Sequence, residues 1–550
     1  MSLKIIPLGG LGEIGLNMMV YEYDDVIFIV DSGLMFPEDY MLGVDYVIPD
    51  MEYIRTNKAK VHAIVLTHAH EDHIGALPFL LREVQVPVYA TAFTLGIVRN
   101  KLEEHDILAT TDLYEISPRD TLRIGPFELE FIRVCHSVVD GVGLAVKTPV
   151  GTIIHTGDFK IDHTAPDGLK TDVGRFAQWG ETGILALLSD STNVEKKGYT
   201  ISATQIGESL SRLANNCSGR IIVALFASNI TRIQKVVNIA VALGRKVFFN
   251  GRSIELSVRI AKELGFLKVP TDSEIDVTAI DDLPDNEIVM IMTGSQGEPM
   301  SALARMAAGS HKQISIKPED TILLSSKFIP GNEKAITNII NNLYRRGADV
   351  IYEKISEIHV SGHAFQEELK LMINLVKPKY FIPIHGEFRH LTLHSRLAQQ
   401  VGIPKKRVLV AQDGNVIEFA KYGVSVNEVV PTGKVLVDGK GIGDVGRSVL
   451  KERHTLSKEG LVVVNMAFDE ETGIIVFGPE IVSRGFVFET EKGHLVRDAQ
   501  CVVLEIVEEI GPEVTNRIDR IRHEVRRALR QYFFYTIGRR PVILPFFTEL

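Results

Sequence analysis

Short apolar runs recur along this chain, and most end in a small polar or acidic residue. Residues 3–8 read as a strand that runs into Gly9-Gly10-Leu11-Gly12-Glu13-Ile14-Gly15. Residues 17–23 and 26–30 read as strands joined at Asp24-Asp25, the second ending in Asp31-Ser32-Gly33. Residues 63–66 are another buried strand, followed by Thr67-His68-Ala69-His70-Glu71-Asp72-His73 on a loop and a helical pattern over 75–83. A strand over 88–90 and a helix over 92–104 come next. The strand over 128–134 delivers Cys135-His136-Ser137, that over 151–157 ends in Asp158, and that over 185–188 ends in Ser189-Asp190-Ser191. Such alternation predicts a layered α/β domain. Five strands end in Asp31, the His68 cluster, His136, Asp158 and Asp190, and strand ends on one edge of a sheet would gather these in one crevice.

From residue 204 the texture changes. Helical patterns over 206–214, 230–243 and 254–264 alternate with apolar strands over 221–226, 246–249, 288–292 and 321–324. The strands end in polar turns such as Ala227-Ser228-Asn229, Thr293-Gly294-Ser295 and Ser325-Ser326. A parallel doubly wound subdomain fits, and backbone amides at such turns suit phosphate. Two more histidines, His363 and His385, follow apolar strands on either side of a helix over 366–376. Residues 424–446 read as a Gly- and Val-rich linker with short strands. The remainder is a small α+β unit: strands over 461–464, 473–477 and 541–545 and a basic helix over 515–532. On that helix Ile518, Ile521, Val525 and Leu529 make an apolar stripe, with Arg517, Arg520, Arg527 and Arg530 among the cations elsewhere. A solvated face is the plain reading of those cations, and an RNA- or partner-facing surface the sharper one.

Composition narrows the classes. The 550 residues allow three or four domain-sized units, and 45% hydrophobic content supplies sizeable cores. A net charge of -10 argues against bulk attraction to nucleic acid, though not against a local basic groove. Three separated cysteines, Cys135, Cys217 and Cys501, form no disulfide framework and suit a reducing cytoplasm. No signal peptide and no membrane-length apolar run is visible. Residues 10–15 contain G-x-G-x-x-G with Asp31 downstream, but a dinucleotide fingerprint requires a helix after the glycines and a strand follows here. The glycines are expected to form a tight turn near the active site.

The densest chemistry is the run from His68 to His73. Imidazoles at i and i+2 reach one ion from an extended loop, and Asp72-His73 reach a second. Imidazole and carboxylate suit Zn²⁺ or Mn²⁺. Two ions, one held by His68, His70 and His136 and the other by Asp72, His73 and His385, need a bridging acid, and Asp158 is the best candidate. Asp31 is expected to brace a ligand from behind. Such a site lowers the pKa of a bridging water and stabilises entering and leaving oxygens at phosphorus. Metal hydrolases also cleave amides and thioesters; the inserted subdomain and His363 tilt the choice to phosphodiesters.

Asp31, His68-Ala69-His70-Glu71-Asp72-His73, His136 and Asp158 resemble the four motifs of the metallo-β-lactamase fold. Ser189-Asp190-Ser191, Ser361-Gly362-His363 and Ile384-His385-Gly386 resemble motifs A, B and C of the β-CASP nucleases, and the likeness to the bacterial ribonuclease J family runs end to end. The resemblance implies an αββα sandwich in two segments (1–203 and 356–423), a doubly wound β-CASP insertion (204–355), a linker (424–450) and an α+β dimerisation domain (451–550). It implies a metal-dependent 5′→3′ exoribonuclease, preferring 5′-monophosphate ends, with endonuclease activity in mRNA decay and rRNA maturation. Zn or Mn ions would be held by His68, His70, Asp72, His73, His136, Asp158 and His385, with Asp72, Asp158, Asp190 and His363 catalytic. RNA phosphates would be held by Ser228, Asn229, Ile230, His359, Val360, Ser361, Gly362 and His363. Gly43, Asp45 and Asp438 resemble a structural calcium site of some relatives. Partners would be RNA, further copies in a homodimer or homotetramer, and other RNA-decay or ribosome-associated proteins, with no membrane. One departure is Val139 before Asp140, where relatives often carry proline. A DNA-repair nuclease, an RNA-binding scaffold and a small-molecule thioesterase or lactamase are the competing readings.

Overall fold

The computed structural model describes residues 2–164, 168, 170–298, 300–326, 328, 332–352, 361–420, 423–439, 441–486, 493–511 and 514–550. The chain forms two compact units, Met1–Phe36 with Tyr46–Val435, and Pro37–Asp45 with Leu436–Leu550.

The first unit contains two facing sheets. The eight-stranded sheet runs Gly423–Val429, Asn415–Ala420, Leu3–Gly9, Met18–Tyr23, Val26–Val30, Val61–Val65, Val88–Ala90, Leu113–Glu115. The six-stranded sheet runs Tyr380–Ile384, Ile184–Asp190, Thr152–His155, Val142–Lys147, Phe127–Arg133, Thr121–Ile124. Alternate residues of both meet in a core that includes Tyr21, Phe28, Phe127, Phe131, Leu144 and Phe419. Helices Val173–Gly180, Gln366–Val376 and Phe388–Gln400 cover the outside of the six-stranded sheet. Helices Leu77–Glu83 and Ala92–Glu104 bury their apolar residues on the other side, completing an αββα sandwich.

The metal-ligating strand ends do not share one sheet edge. Val26–Val30 and Val61–Val65 belong to the first sheet, whereas Phe127–Arg133, Thr152–His155, Ile184–Asp190 and Tyr380–Ile384 belong to the second. The crevice therefore opens between two sheets. Apolar periodicity reveals that a strand exists, but pairing partners are set by contacts distant in sequence. The glycine-rich segment is a turn as expected: Leu3–Gly9 pairs antiparallel with Met18–Tyr23. Leu11–Gly12 pairs with Gly386–Glu387, which ties this turn to the residue after His385.

The inserted subdomain is a five-stranded parallel sheet in the order Lys246–Asn250, Ile288–Met292, Ile221–Ala224, Thr321–Leu324, Asp349–Ile351. One face packs on helices Ala302–Ala308 and Glu333–Arg345. Residues 424–429, expected in a linker with short strands, lie in the strand Gly423–Val429, which forms an edge of the eight-stranded sheet. Its partner Asn415–Ala420 supplies a ladder the composition does not reveal.

The second unit carries a three-stranded sheet, Ile475–Arg484, Leu461–Phe468, Val542–Glu549, packed under helices Gly493–Glu509 and Arg517–Ile537. Arg447–Glu459 and Gly493–Glu509 are helices the apolar pattern did not indicate. In the second, the β-branched pair Val502-Val503 weakens the helical signal, and tertiary packing overrides it. Among the described residues no helix is long and apolar enough to cross a membrane.

Candidate metal centre

Asp72 and His73 sit on one helical turn, Glu71–Ile74, rather than on an open loop. So short a helix is held from outside. Its carbonyls accept amides of the neighbouring chain: Asp72 O from Asn17 N (3.1 Å), His73 O from Ser32 N (2.7 Å), Glu71 O from Leu34 N (3.0 Å). Gly33 lies so close that a Cβ would stand 1.6 Å from Asp72 O.

Ring nitrogens converge around one carboxylate oxygen. His68 Nε2 and His136 Nε2 approach His70 Nδ1 at 3.0 and 3.1 Å. Asp158 Oδ2 lies 3.7 Å from His68 Nε2, 3.7 Å from His136 Nε2, 3.3 Å from His73 Nε2 and 3.7 Å from His385 Nε2. Asp72 Oδ2 stands 3.4 Å from His385 Nε2 and 3.7 Å from His73 Nε2. In a tetrahedral zinc site with bonds near 2.0–2.1 Å, ligand atoms are about 3.3 Å apart. The donor set and spacings fit divalent ions. His68, His70, His136 and Asp158 form one group able to hold an ion, Asp72, His73 and His385 a second, and Asp158, Asp190, His363 and His385 a third.

The far nitrogens of four rings are anchored. Asp31 Oδ2 accepts His73 Nδ1 (2.7 Å), and its carboxylate also takes Thr67 N (2.7 Å) and Thr67 Oγ1 (2.8 Å). His136 Nδ1 donates to Gly362 O at 2.8 Å, and His68 Nδ1 lies 3.0 Å from Thr67 Oγ1. His385 Nδ1 lies 2.7 Å from Thr192 Oγ1. These contacts turn the Nε2 lone pairs inward. His363 Nδ1 meets Asp190 Oδ2 at 2.8 Å and stays 3.9 Å from Asp158 Oδ2.

Electrostatics divides the rings. Burial, aided by the charge of neighbouring histidines, holds His68 and His136 well below the usual range, and burial brings His70 to about 4. Burial also disfavours the His73 cation, but Asp158, Asp72 and Asp31 outweigh it and raise the ring to about 10. His385 is raised the same way, against burial, chiefly by Asp158. Burial opposes ionisation of Asp158, yet His385, His73 and His363 pull its pKa well down. An ion entering beside His73 and His385 would displace protons, so its affinity weakens as the pH is lowered.

Several residues here escaped the sequence reading. Thr67 and Thr192 anchor ligands, and Asn193 Nδ2 donates to His363 O at 3.1 Å and to Ser361 Oγ. Buried Glu368 accepts Ile161 N (2.8 Å), Thr200 N (2.8 Å) and Phe365 N (2.9 Å). It thus ties the loop after Asp158 to the loop after His363 and to the segment entering the insertion. Adjacency to Ser189-Asp190-Ser191 is the only signal that marked Thr192 and Asn193.

Of the expected phosphate-holding residues, Asn229 and Ser361 line a cavity that they share with Arg133, Lys160, Arg232, Lys235 and His136. Asn229 caps the helix Ile230–Ala242, accepting Arg232 N at 3.0 Å, whereas Ile230 is buried in that helix's packing. His359 and Val360 lie outside the described residues. Asp45 and Asp438 of the expected calcium site each have a protein partner. Arg453 donates to Asp438 Oδ2 (2.5 Å) and Leu42 O (2.9 Å), and Asp45 Oδ2 accepts Gly439 N (2.7 Å). The Arg453 guanidinium thus places a positive charge against Asp438 and the Leu42 carbonyl.

Four sequence families match in order: the metallo-β-lactamase superfamily over 11–191, the ribonuclease J β-CASP domain over 218–343, a Zn-dependent metallo-hydrolase RNA specificity domain over 347–410, and the ribonuclease J C-terminal domain over 448–550. Ribonuclease J 1 of Streptococcus pyogenes is 42% identical over 541 residues, covering 98% of this chain and 96% of that protein. The chain belongs to the ribonuclease J family. Ribonuclease J2 of Bacillus subtilis is 41% identical over 549 residues (100% of this chain, 99% of that protein). Ribonuclease J of Thermus thermophilus is 43% identical over 553 residues (99% and 95%). A solved Enterococcus faecalis protein of unknown function shares the fold at 16% identity, with a TM-score of 0.55 over 76% of this chain and all of that one.

Two predictions arise here. A Cβ on Gly362 would stand 2.6 Å from His136 Cε1. Gly362→Ala is therefore expected to tilt that ring and lower metal affinity about 10–100-fold, measured by competition with a chromophoric chelator. Asp413 Oδ1 accepts Leu11 N at 3.1 Å, and burial, followed by Glu13, pushes its carboxyl up to about 7. Its folded-state pKa is raised, so its stabilisation is full below about pH 4 and lost as pH rises through about 7. Asp413→Asn is expected to raise the melting temperature near pH 8 and leave it unchanged near pH 4, read by thermal melts.

Proposed function

We propose that this chain hydrolyses RNA phosphodiesters at two divalent ions, Zn or Mn, as a 5′→3′ exonuclease that prefers 5′-monophosphate ends and also cuts internally. The observation that carries the reading is Asp158 Oδ2, placed within 3.3–3.7 Å of four inward-facing imidazole nitrogens. His68, His70 and His136 would hold one ion, Asp72, His73 and His385 the other, with Asp158 between them. When bound, such ions act as Lewis acids and lower the pKa of a water. Asp190 keeps His363 oriented through its Nδ1, so that the opposite nitrogen can hand a proton to the departing oxygen as the P–O bond breaks. Asp72 and Asp158 would help hold those ions, whose positive charge suits a polyanionic substrate.

The cavity lined by Asn229, Ser361, Arg133, Lys160, Arg232 and Lys235 abuts His136, which suits a terminal phosphate one step from the reacting bond. Work in mRNA decay and rRNA maturation, in the cytoplasm and beside other RNA-decay or ribosome-associated proteins, is part of the same proposal and rests on the family resemblance. Self-association into a homodimer or homotetramer is proposed for the C-terminal unit, whose sheet exposes Leu544, Phe546, Val482 and Val476.

The test incubates purified chain with 5′-monophosphorylated RNA, matched DNA and a β-lactam, with and without chelator. Mononucleotides from RNA alone, abolished by chelator, are expected. Hydrolysed lactam with intact RNA, or equal cutting of DNA, would overturn the reading.

A further inference from the structure

The helix Arg517–Ile537 buries Ile521, Val525, Leu529 and Phe533 in the core of the C-terminal unit. The face turned away from that core carries Arg520, Arg527, Arg530 and Phe534 at spacing i, i+7, i+10, i+14, with Arg526 beside them, all exposed. The stripe is about 21 Å long at helical rise. On the same helix Arg522 pairs with Asp519 at 2.8 Å and Arg527 with Glu524 at 2.5 Å. Arg520, Arg526 and Arg530 have no ion-pair partner among the described residues, and no carboxylate of the adjacent helix Gly493–Glu509 reaches them. At the C-terminal end the rings come to the surface. Phe534 is 40% and Tyr535 83% exposed, and the Arg540 guanidinium lies 4.1 Å from the Phe534 ring centroid.

On a chain of net charge -10, three arginines without ion-pair partners leading to the open Tyr535 ring, with Arg540 stacked on Phe534 beside it, form a local exception. Repeating phosphates separated by flat bases match it in both charge and shape, because any base can stack on an aromatic ring. A folded protein partner would need a continuous apolar area, and the arginines interrupt it here. We propose that this helix face binds single-stranded RNA, with Arg520, Arg526 and Arg530 on phosphates, Tyr535 under a base and the Arg540–Phe534 stack beside it. It is a second contact, on the C-terminal unit, for the substrate proposed above, and it rests on that reading.

The test uses the full chain, chelated so that RNA stays intact, and a labelled single strand of about 30 nucleotides, several site lengths. Affinity is read by anisotropy between about 50 and 200 mM salt. R520E/R526E/R530E is expected to weaken binding at least tenfold and to flatten the log–log salt slope by about 2, as three lost phosphate contacts imply. Tyr535→Ala is expected to weaken binding about fivefold with the slope unchanged, and Tyr535→Phe to restore it. Metal-loaded cleavage of a short oligonucleotide should match the wild type in every variant. Wild-type affinity and slope in the triple variant overturn the proposal, as does a change of oligomeric state with RNA binding intact. Wild-type chain that neither binds nor cuts RNA would instead sink the ribonuclease reading itself.

Discussion

Asp158→Ala is expected to abolish RNA cleavage and to leave less than half of the bound metal. Among the described residues, Asp158 Oδ2 is the carboxylate oxygen that lies close to His68, His73, His136 and His385 together. Without it the two ligand groups lose their shared acceptor. His73 and His385 also lose the carboxylate that contributes most to keeping their rings charged. The fold should survive, because Asp158 lies at the loop after the strand Thr152–His155 and the apolar core is untouched. Metal analysis, circular dichroism and a cleavage assay on one preparation check all three. Activity within tenfold of wild type would mean that Asp158 does not join the two groups.

His363→Ala should behave differently. His363 stands 3.9 Å from Asp158 Oδ2 but 2.8 Å from Asp190 Oδ2, so its closest tie is to a neighbouring carboxylate. Asp190 and Asp158 raise its pKa against the opposing effect of burial, and it keeps a proton to give. Loss of a positioned proton donor costs about 10²–10⁴-fold in rate. The expected result is a fall of that size in kcat, with metal content unchanged and KM little altered. The alkaline limb of the pH–rate profile should also disappear, since wild-type activity falls as His363 loses its proton. Loss of metal in this variant would make His363 a ligand, a role its place in the third candidate group also permits.

The two variants test residues the sequence made visible for different reasons. His68, His70, Asp72 and His73 stand out because four donors within six positions are hard to explain as surface decoration. Asp158 and Asp190 are visible because apolar strands end in them, and His385 because a similar strand precedes it nearly two hundred residues later. The sheet to which each strand belongs was not legible. Ladder partners such as Thr152–His155 with Ile184–Asp190 are set by packing across the sandwich. Thr67, Thr192 and Glu368 were missed because threonine and glutamate are ordinary surface residues, and only burial beside a ligand gives them a role. Asp45 and the segment of Asp438 do come together, and Arg453, remote in sequence from Asp45, lies against Asp438 there, a contact the sequence does not reveal. That Gly423–Val429 joins the eight-stranded sheet was hidden because edge strands carry a weak apolar alternation, and here most of its residues are exposed.

Titrating metal into chelated protein, with bound ion and RNA cleavage followed together, tests the central claim most directly. Two ions per chain are predicted, with cleavage rising as the second site fills and mononucleotides appearing only then. Full cleavage by metal-free protein, or saturation of activity at a single ion per chain, would contradict a centre in which Asp158 joins His68, His70 and His136 to Asp72, His73 and His385.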